Sequence, residues 1–262
     1  DPLWSRGLGD VYKRQGQYMV AGQVALKAMG VVGIPVTNVE NACASSSTAL
    51  NAAHLYVASG AGDICLAVGV DKLYAEDKAK SFAVFDGAWD VHDAPAQMAR
   101  LMALAPDITP PPGFEEPGKR SVFMDIYASL ARLHMKTFGT TQRQLAAVAA
   151  KNHMHSTRNS LAQFQYPLTI EEALAARPVS WPLTLPMCAP ISDGAAAAIV
   201  CNAQGLKRLR EARAVRLYAS VLRTATDRPA DRYDRHLCHL AALEAYAVSY
   251  THLRAHETRE DL

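Results

Sequence analysis

Residues 39–56 read VENACASSSTALNAAHLY. From Cys43 to Ser59 nearly every residue is small or apolar, and a helix of that kind is one buried on every side. Cys43 stands at its start, beside Ala42, Ala44, Ser45 and Ser46. Two readings of the thiol follow. It is a nucleophile at a helix N-terminus, where unpaired N–H groups and the helix dipole favour a thiolate and small neighbours admit a substrate carbonyl. Or it is a core thiol, the default for a cysteine in such company. Magnitudes leave the choice open. A helix terminus contributes about 0.3–1 kcal/mol, less than the ~1.4 kcal/mol that one pKa unit represents. A nucleophilic cysteine therefore needs a neighbouring base, most often histidine.

Upstream, IPVTNV (34–39) reads as a short β-branched strand. GQYMVAGQVALKAMG (16–30) reads as a helix stopped by Gly30. Downstream, DICLAVGV (63–70) is an apolar run of strand length, which fits a central strand covered on both faces. Strand, helix, strand makes an α/β unit with a crossover. ASGAGD (58–63) ends a helix before a strand, so it is a helix stop; a phosphate-cradling loop has the opposite order.

Further along, residues 75–120 contain APDITPPPGFEEPGKR and read as loop. Helices are expected over 121–138, closed by Gly139, over 142–157, and over 169–177. Thr141 and Gln144 have the capping-box spacing at the head of the second. ISDGAAAAIVC (191–201) turns at Asp193-Gly194 into an apolar run whose alanines favour helix but whose shortness leaves strand open. AVRLYASVLRT (214–224) has the length and β-branching of a strand.

The totals are those of a globular protein: 262 residues, half of them hydrophobic, with 27 Lys and Arg against 25 Asp and Glu. A net charge of +2 gives no reason to invoke nucleic acid or an anionic membrane. No apolar run is long enough for a membrane span, and no secretory signal opens the chain. The five cysteines, at 43, 65, 188, 201 and 238, form no CxxC pair. They read as reduced thiols in a cytoplasmic protein. The ends differ from the rest. DPLWSRGLGDVYKRQ (1–15) and VSYTHLRAHETREDL (248–262) lack periodicity and resemble translated sequencing-adapter read-through. Residues 1–15 and 247–262 are therefore set aside as non-native tails, and His252 and His256 receive no role.

Three blocks carry a resemblance. NVENACASSSTALNAAHLYVASGAGDICLAVGVDKL (38–73), KNHMHSTRNSLAQFQYPLTIEEALA (151–175) and PMCAPISDGAAAAIVC (186–201) resemble, in the expected order, the thiolase family. More specifically they resemble its sterol-carrier-protein-linked, lipid-transfer-type branch. The resemblance implies an α/β thiolase-like fold whose N-terminal half has a mixed sheet, a buried nucleophile helix and a helical loop domain. It implies that 195–201 is strand. It implies a core over 16–74, a loop domain over 75–185 covering coenzyme A, the end of the core over 186–212, and the start of the C-terminal half over 213–246. Cys43 corresponds to the cysteine that takes the acyl group. The substrate is then a coenzyme A thioester, with no permanently bound cofactor and no metal. The expected assembly is a homodimer or homotetramer, with a small partner subunit in some relatives. Lipid metabolism such as fatty acid β-oxidation is the implied setting.

The remaining thiols and histidines have plainer readings. Cys65 lies in the strand run and reads as core, Cys201 as strand filling, and Cys188 has no assigned role. Cys238, with His236 and His239, lacks the second half of a zinc module. His153 and His155 lie two apart on a helix and do not share a face. His134 reads as an amphipathic-helix residue. The family's Gly-His-Pro block, its other histidine segment and its Cys-x-Gly block belong to the C-terminal half and are absent; HLAALEAYA (239–247) resembles the first helix of that half. The strand and helix that open the N-terminal half are also missing before Gly16. The chain is thus expected to be an internal fragment, inactive by itself, that keeps the nucleophile without its activating bases. Two alternatives stand beside a thiolytic acyltransferase. One is a ketoacyl-synthase-like condensing enzyme. The other is a thiolase-like lipid or sterol-CoA protein that works with a partner subunit.

Overall fold

A computed structural model describes residues 3–8, 19–74, 76–77, 85, 90, 92–115, 118, 121–209, 213–229 and 231–249. Its elements in chain order are β1 (Leu3–Leu8), α1 (Ala21–Ala28), β2 (Val36–Val39), α2 (Ser45–Ala58), β3 (Ile64–Asp71), α3 (Ala94–Met102), α4 (Val122–Phe138), α5 (Gln142–Ser156), α6 (Ile170–Ala175), β4 (Pro178–Ser180), β5 (Leu183–Thr184), β6 (Gly194–Cys201), α7 (Ala203–Arg208) and α8 (Leu237–Val248). The chain forms two compact units. One comprises residues 1–77 and 192–262, the other residues 78–191. Among the described residues no helix is long and apolar enough to cross a membrane.

The first unit is built on a four-stranded mixed sheet in the order β2-β1-β3-β6. β1 runs parallel to both β2 and β3, and β6 runs antiparallel to β3. The β2–α2–β3 crossover expected from sequence is present, but it spans one strand, because β1 lies between. That strand falls in the stretch set aside as a patternless tail. The physical reason for the miss is that β1 is held on both edges by backbone ladders, which require no alternation of side chains. Residues 9–18, including the start of the expected 16–30 helix, lie outside the described residues. The helix itself runs from Ala21 to Ala28 and ends on Gly30 with φ +76°, while Val31 N–H donates to Leu26 O at 2.9 Å. Those are the marks of a glycine stop.

α2 rests one face on the sheet. Ala49, Ala53 and Val57 pack with Cys65 and Ala67 of β3, flanked by Val39, Leu50, Tyr56 and Val200. Small side chains let the helix come close. A Cβ placed on Gly69 would lie 2.0 Å from Ser46 Oγ and 2.9 Å from Ser46 Cβ. Burial on every side, expected from sequence, does not hold. Leu55 is 58% exposed and Ser46 and Ser47 are exposed. The chain lays a sheet against one side of α2, and elsewhere on the helix buried Asn51 donates through Nδ2 to Ser220 O at 2.9 Å. Likewise β3 buries Cys65 and Ala67 toward α2, whereas Ile64, Leu66 and Val68 are half-buried.

Residues 195–201 are strand, as the resemblance implied. Residues 214–224, expected as a strand, join neither sheet among the described residues. β-branching favours a pleated surface but does not make a ladder without a partner. α8 covers the expected helix at 239–247 and runs one residue beyond it to Val248, into the second tail; residues 250–262 lie outside the described residues. Before β6, Asp193 accepts from Lys72 Nζ at 2.5 Å and from Tyr74 N–H at 2.8 Å, which clips together the chain leaving β3 and the chain entering β6.

The second unit is mainly helical. α3 was missed, because Pro and charge around it read as loop. Pro95 sits in its first turn, where the lost N–H costs nothing. α4 has Ser121 as its N-cap and Gly139, at φ +69°, as its stop. α5 has the expected Thr141–Gln144 capping box, and α6 has a second one in Thr169 and Glu172. Buried Ser129 and Ser180 are satisfied. Ser129 Oγ donates to Asp125 O at 2.8 Å, and Ser180 Oγ donates to Asp125 Oδ1 at 2.9 Å. The unit boundaries at 77/78 and 191/192 compare with the 74/75 and 185/186 expected from sequence.

Gly69→Ala is expected to destabilise the first unit by about 1–3 kcal/mol, the usual cost of forcing atoms into a packed core. A urea midpoint unchanged from wild type refutes the close approach. Asp193 has its pKa held below the ordinary 3.8 by the Lys72 ammonium and the Tyr74 N–H. A carboxyl with a lowered folded pKa contributes stability above its unfolded pKa and loses it as pH falls through the folded value. Asp193→Asn therefore lowers the thermal midpoint at neutral pH, and the difference closes as pH drops below 3.8. A difference that persists in acid rules out the ion pair as its source.

Candidate active site at the Cys43 elbow

Strand β2 ends at Val39, level with Gly7 of β1 and Gly69 of β3. The chain then turns into α2 through a short 3-10 turn, Ala42–Ala44. Cys43 is the middle residue of that turn and is exposed. Cys43 therefore sits at the carboxyl edge of the parallel strands, just ahead of the helix proper, and not inside the core. Of the two readings left open by sequence, the core thiol is excluded by exposure.

Several hydrogen bonds hold the turn. Ala42 has φ +43°, a left-handed conformation that a residue with a Cβ rarely adopts. Ala42 N–H donates to Glu40 Oε1 at 2.7 Å. Ser45 Oγ donates to Ala42 O and accepts from Asn41 N–H, both at 2.8 Å. Thr48 Oγ1 donates to Ala44 O and accepts from Asn41 Nδ2, both at 2.9 Å. Ala44 N–H donates to Asn41 O at 2.9 Å. Among the described residues neither the N–H nor the Sγ of Cys43 has a hydrogen-bond partner. A thiol and an unpaired N–H on one exposed residue can attack a carbonyl carbon and donate to the oxygen that becomes charged. The sequence reading valued Ser45 only for its small size and passed over Glu40, Asn41 and Thr48. The available signal was hydroxyls and an amide at helix-start spacing, the residues that bond local backbone.

Among the described residues no histidine hydrogen-bonds Cys43. His54 is on the same helix, nine residues past Ser45, which at 1.5 Å per residue is about 13 Å along the axis. His134 Nδ1 pairs with Thr140 Oγ1 at 2.8 Å. His153 packs against Phe164 and Tyr166. His236 accepts from Cys238 N–H at 3.2 Å and so caps α8. No three His, Cys, Asp or Glu side chains converge to hold a metal ion among the described residues.

The other thiols differ from Cys43. Cys65 is buried in the core cluster. Cys188 is half-buried, donates to Thr184 O at 3.5 Å, and has its pKa raised by burial, with Arg177 opposing. Cys201 ends β6 opposite Ile64. Cys238 is exposed near the start of α8.

The chain is similar to several known proteins. A sterol carrier protein 2 from Gallus gallus is 36% identical over 210 residues, 79% of this chain and 35% of its own length. An acetyl-CoA acetyltransferase from Methanocaldococcus jannaschii is 37% identical over 192 residues, 73% of this chain and 43% of its own. Benzoylsuccinyl-CoA thiolase subunit BbsB from Thauera aromatica is 32% identical over 216 residues, 81% of this chain and half of its own. The chain thus spans half or less of the length of these curated relatives. Among solved structures, an Ltp2-ChsH2(DUF35) aldolase superposes with a TM-score of 0.53 at 19% identity, over 79% of this chain and 46% of that one. That likeness bears on the fold. The family described as thiolase, N-terminal domain, matches residues 7–175, a span that holds β2, the elbow and α2, and on that match the chain belongs to the thiolase family.

Proposed function

We propose that this chain is the nucleophile-bearing half of an acyl-CoA C-acyltransferase of the thiolase type, with Cys43 as the residue acylated. The supporting observation is the exposed Cys43 in a braced turn at the head of α2, with thiol and N–H both unengaged among the described residues. In thiolysis, the Cys43 thiolate attacks the C3 ketone of a 3-ketoacyl-CoA, and the Cys43 N–H donates to the oxygen that gains charge. Collapse breaks the C2–C3 bond. The acyl group stays on sulfur as a thioester, and the electron pair leaves as the enolate of acetyl-CoA, which takes a proton from an acid. A free coenzyme A thiol, deprotonated by a base, then attacks the Cys43 thioester and releases a shortened acyl-CoA with the Cys43 thiolate restored. Condensation is the same sequence reversed.

The acid and base are histidines and a second cysteine in the family's C-terminal blocks, which these residues do not contain. The 262 residues alone are therefore proposed to lack turnover. Residues 75–185 are proposed, on resemblance, to supply the coenzyme A contacts. The substrate is an acyl-CoA with no resident cofactor, and the assembly a homodimer or homotetramer.

Two outcomes are expected. In the protein carrying both halves, Cys43→Ser lowers thiolysis of acetoacetyl-CoA by on the order of 10³ or more, as loss of a nucleophile does; retained activity assigns the chemistry elsewhere and favours a lipid-binding role. In the 262-residue chain, brief iodoacetamide treatment followed by peptide mass spectrometry labels Cys43 ahead of Cys65 and Cys188. Preferential labelling of either of those refutes the exposed elbow.

A further inference from the structure

We infer that Ser45, with Glu40 as its companion, is a positioning residue for Cys43: the two side chains hold Ala42 in its left-handed conformation and so aim the thiol and its N–H along the start of α2. The inference rests on the acylation role proposed for Cys43, but its evidence is separate. Ala42 at φ +43° is one of two residues other than glycine with positive φ among the described residues. Such a conformation is sterically unfavourable in a residue with a Cβ and persists only when the surroundings over-determine it. Both polar atoms of the Ala42 backbone are engaged by side chains. Its N–H is taken by Glu40 Oε1 at 2.7 Å, and its carbonyl by Ser45 Oγ at 2.8 Å. Ser45 is buried, and its oxygen also accepts the Asn41 N–H. One hydroxyl thus ties the residue two before Cys43 to the residue one before it. Asn41 and Thr48 form an outer brace that fixes the carbonyl after Cys43.

The bonds leave Cys43 itself untouched. Every backbone donor and acceptor from Asn41 to Ala42 is spent on the brace, while the Cys43 N–H is left for a ligand. Loss of the brace would not uncover Cys43, which is already exposed. It would instead release the thiol from alignment with the helix N-terminus, whose effect on a charge corresponds to about a two- to fivefold change in a rate or equilibrium.

The test measures alkylation of Cys43 by iodoacetamide in the native chain, with exposed Cys238 as the internal reference, and needs no thiolase turnover. Ser45→Ala is expected to slow Cys43 about two- to fivefold without slowing Cys238, and Ser45→Thr, which keeps the hydroxyl, to restore the rate. Glu40→Gln, which keeps an acceptor, should behave as wild type, and Glu40→Ala as Ser45→Ala. Glycine adopts positive φ at no steric cost, so the Ser45→Ala effect should shrink in the Ala42→Gly background. Equal slowing of both thiols, an unchanged Cys43 rate in Ser45→Ala, or an undiminished effect in the Ala42→Gly background each overturns the positioning role. If Cys43→Ser leaves thiolysis intact while these rate changes appear, the acylation role fails and the brace stands.

Discussion

The close approach of α2 to β3 at Ser46 and Gly69 is the constraint on which the rest of the first unit depends. Helix axes ordinarily stand off a sheet by the depth of their side chains. Here the contact face is Ala49, Ala53 and Val57, and the strand answers with Cys65, Ala67 and Gly69. Small residues on both sides bring the helix start down to the sheet. Ser46 is three residues after Cys43, so whatever fixes Ser46 fixes the elbow's height above the carboxyl edge of the strands. The register agrees, since Val39 and Gly69 are level through Gly7.

That placement separates two duties that the sequence joins in one stretch. Residues 45–58 make the core, and residues 40–44 make the site. The boundary lies at Ser45, which is buried as a core residue yet spends its hydroxyl on the turn. A thiol one residue further along would have no free N–H, because the N–H at position 44 donates to Asn41 O at 2.9 Å. The same boundary explains the choice of Ser over Ala at 45. An apolar residue would serve the packing equally but leave the Asn41 N–H without its acceptor and the Ala42 carbonyl with the Ser45 N–H alone.

Legibility in the sequence followed how local each cause was. Helix ends set by one or two residues were readable: Gly30, Gly139, and the Thr141–Gln144 box all act where expected. Elements whose existence depends on a distant partner were not. β1 has no pattern of its own and is a strand because β2 and β3 flank it. Residues 214–224 have a strand's composition and no ladder among the described residues. α3 was hidden because Pro95 reads as a breaker unless one knows that it falls in a first turn. The burial of α2 was overestimated for a related reason. Composition reports what a helix tolerates against it, and here only part of its surface is covered. The role proposed for Cys43 rests on the flanking blocks, since exposure and backbone geometry leave no mark in composition.

Among the described residues no histidine hydrogen-bonds Cys43, and that bears on the acylation role proposed for it. A helix start alone is worth too little to make a thiol a good nucleophile at neutral pH, and His54 lies too far along the axis to help. On the proposed acylation role, the elbow contributes geometry, and ionisation of the thiol needs a base beyond the helix start. A division of this kind has a physical advantage. A reactive thiolate held permanently at an exposed turn would be open to oxidation and alkylation. A thiol that is aimed but not activated stays comparatively inert until the remaining groups are assembled around it. The left-handed Ala42 and its brace are the part that must be built in beforehand, because backbone orientation cannot be supplied by a partner as readily as a proton acceptor can.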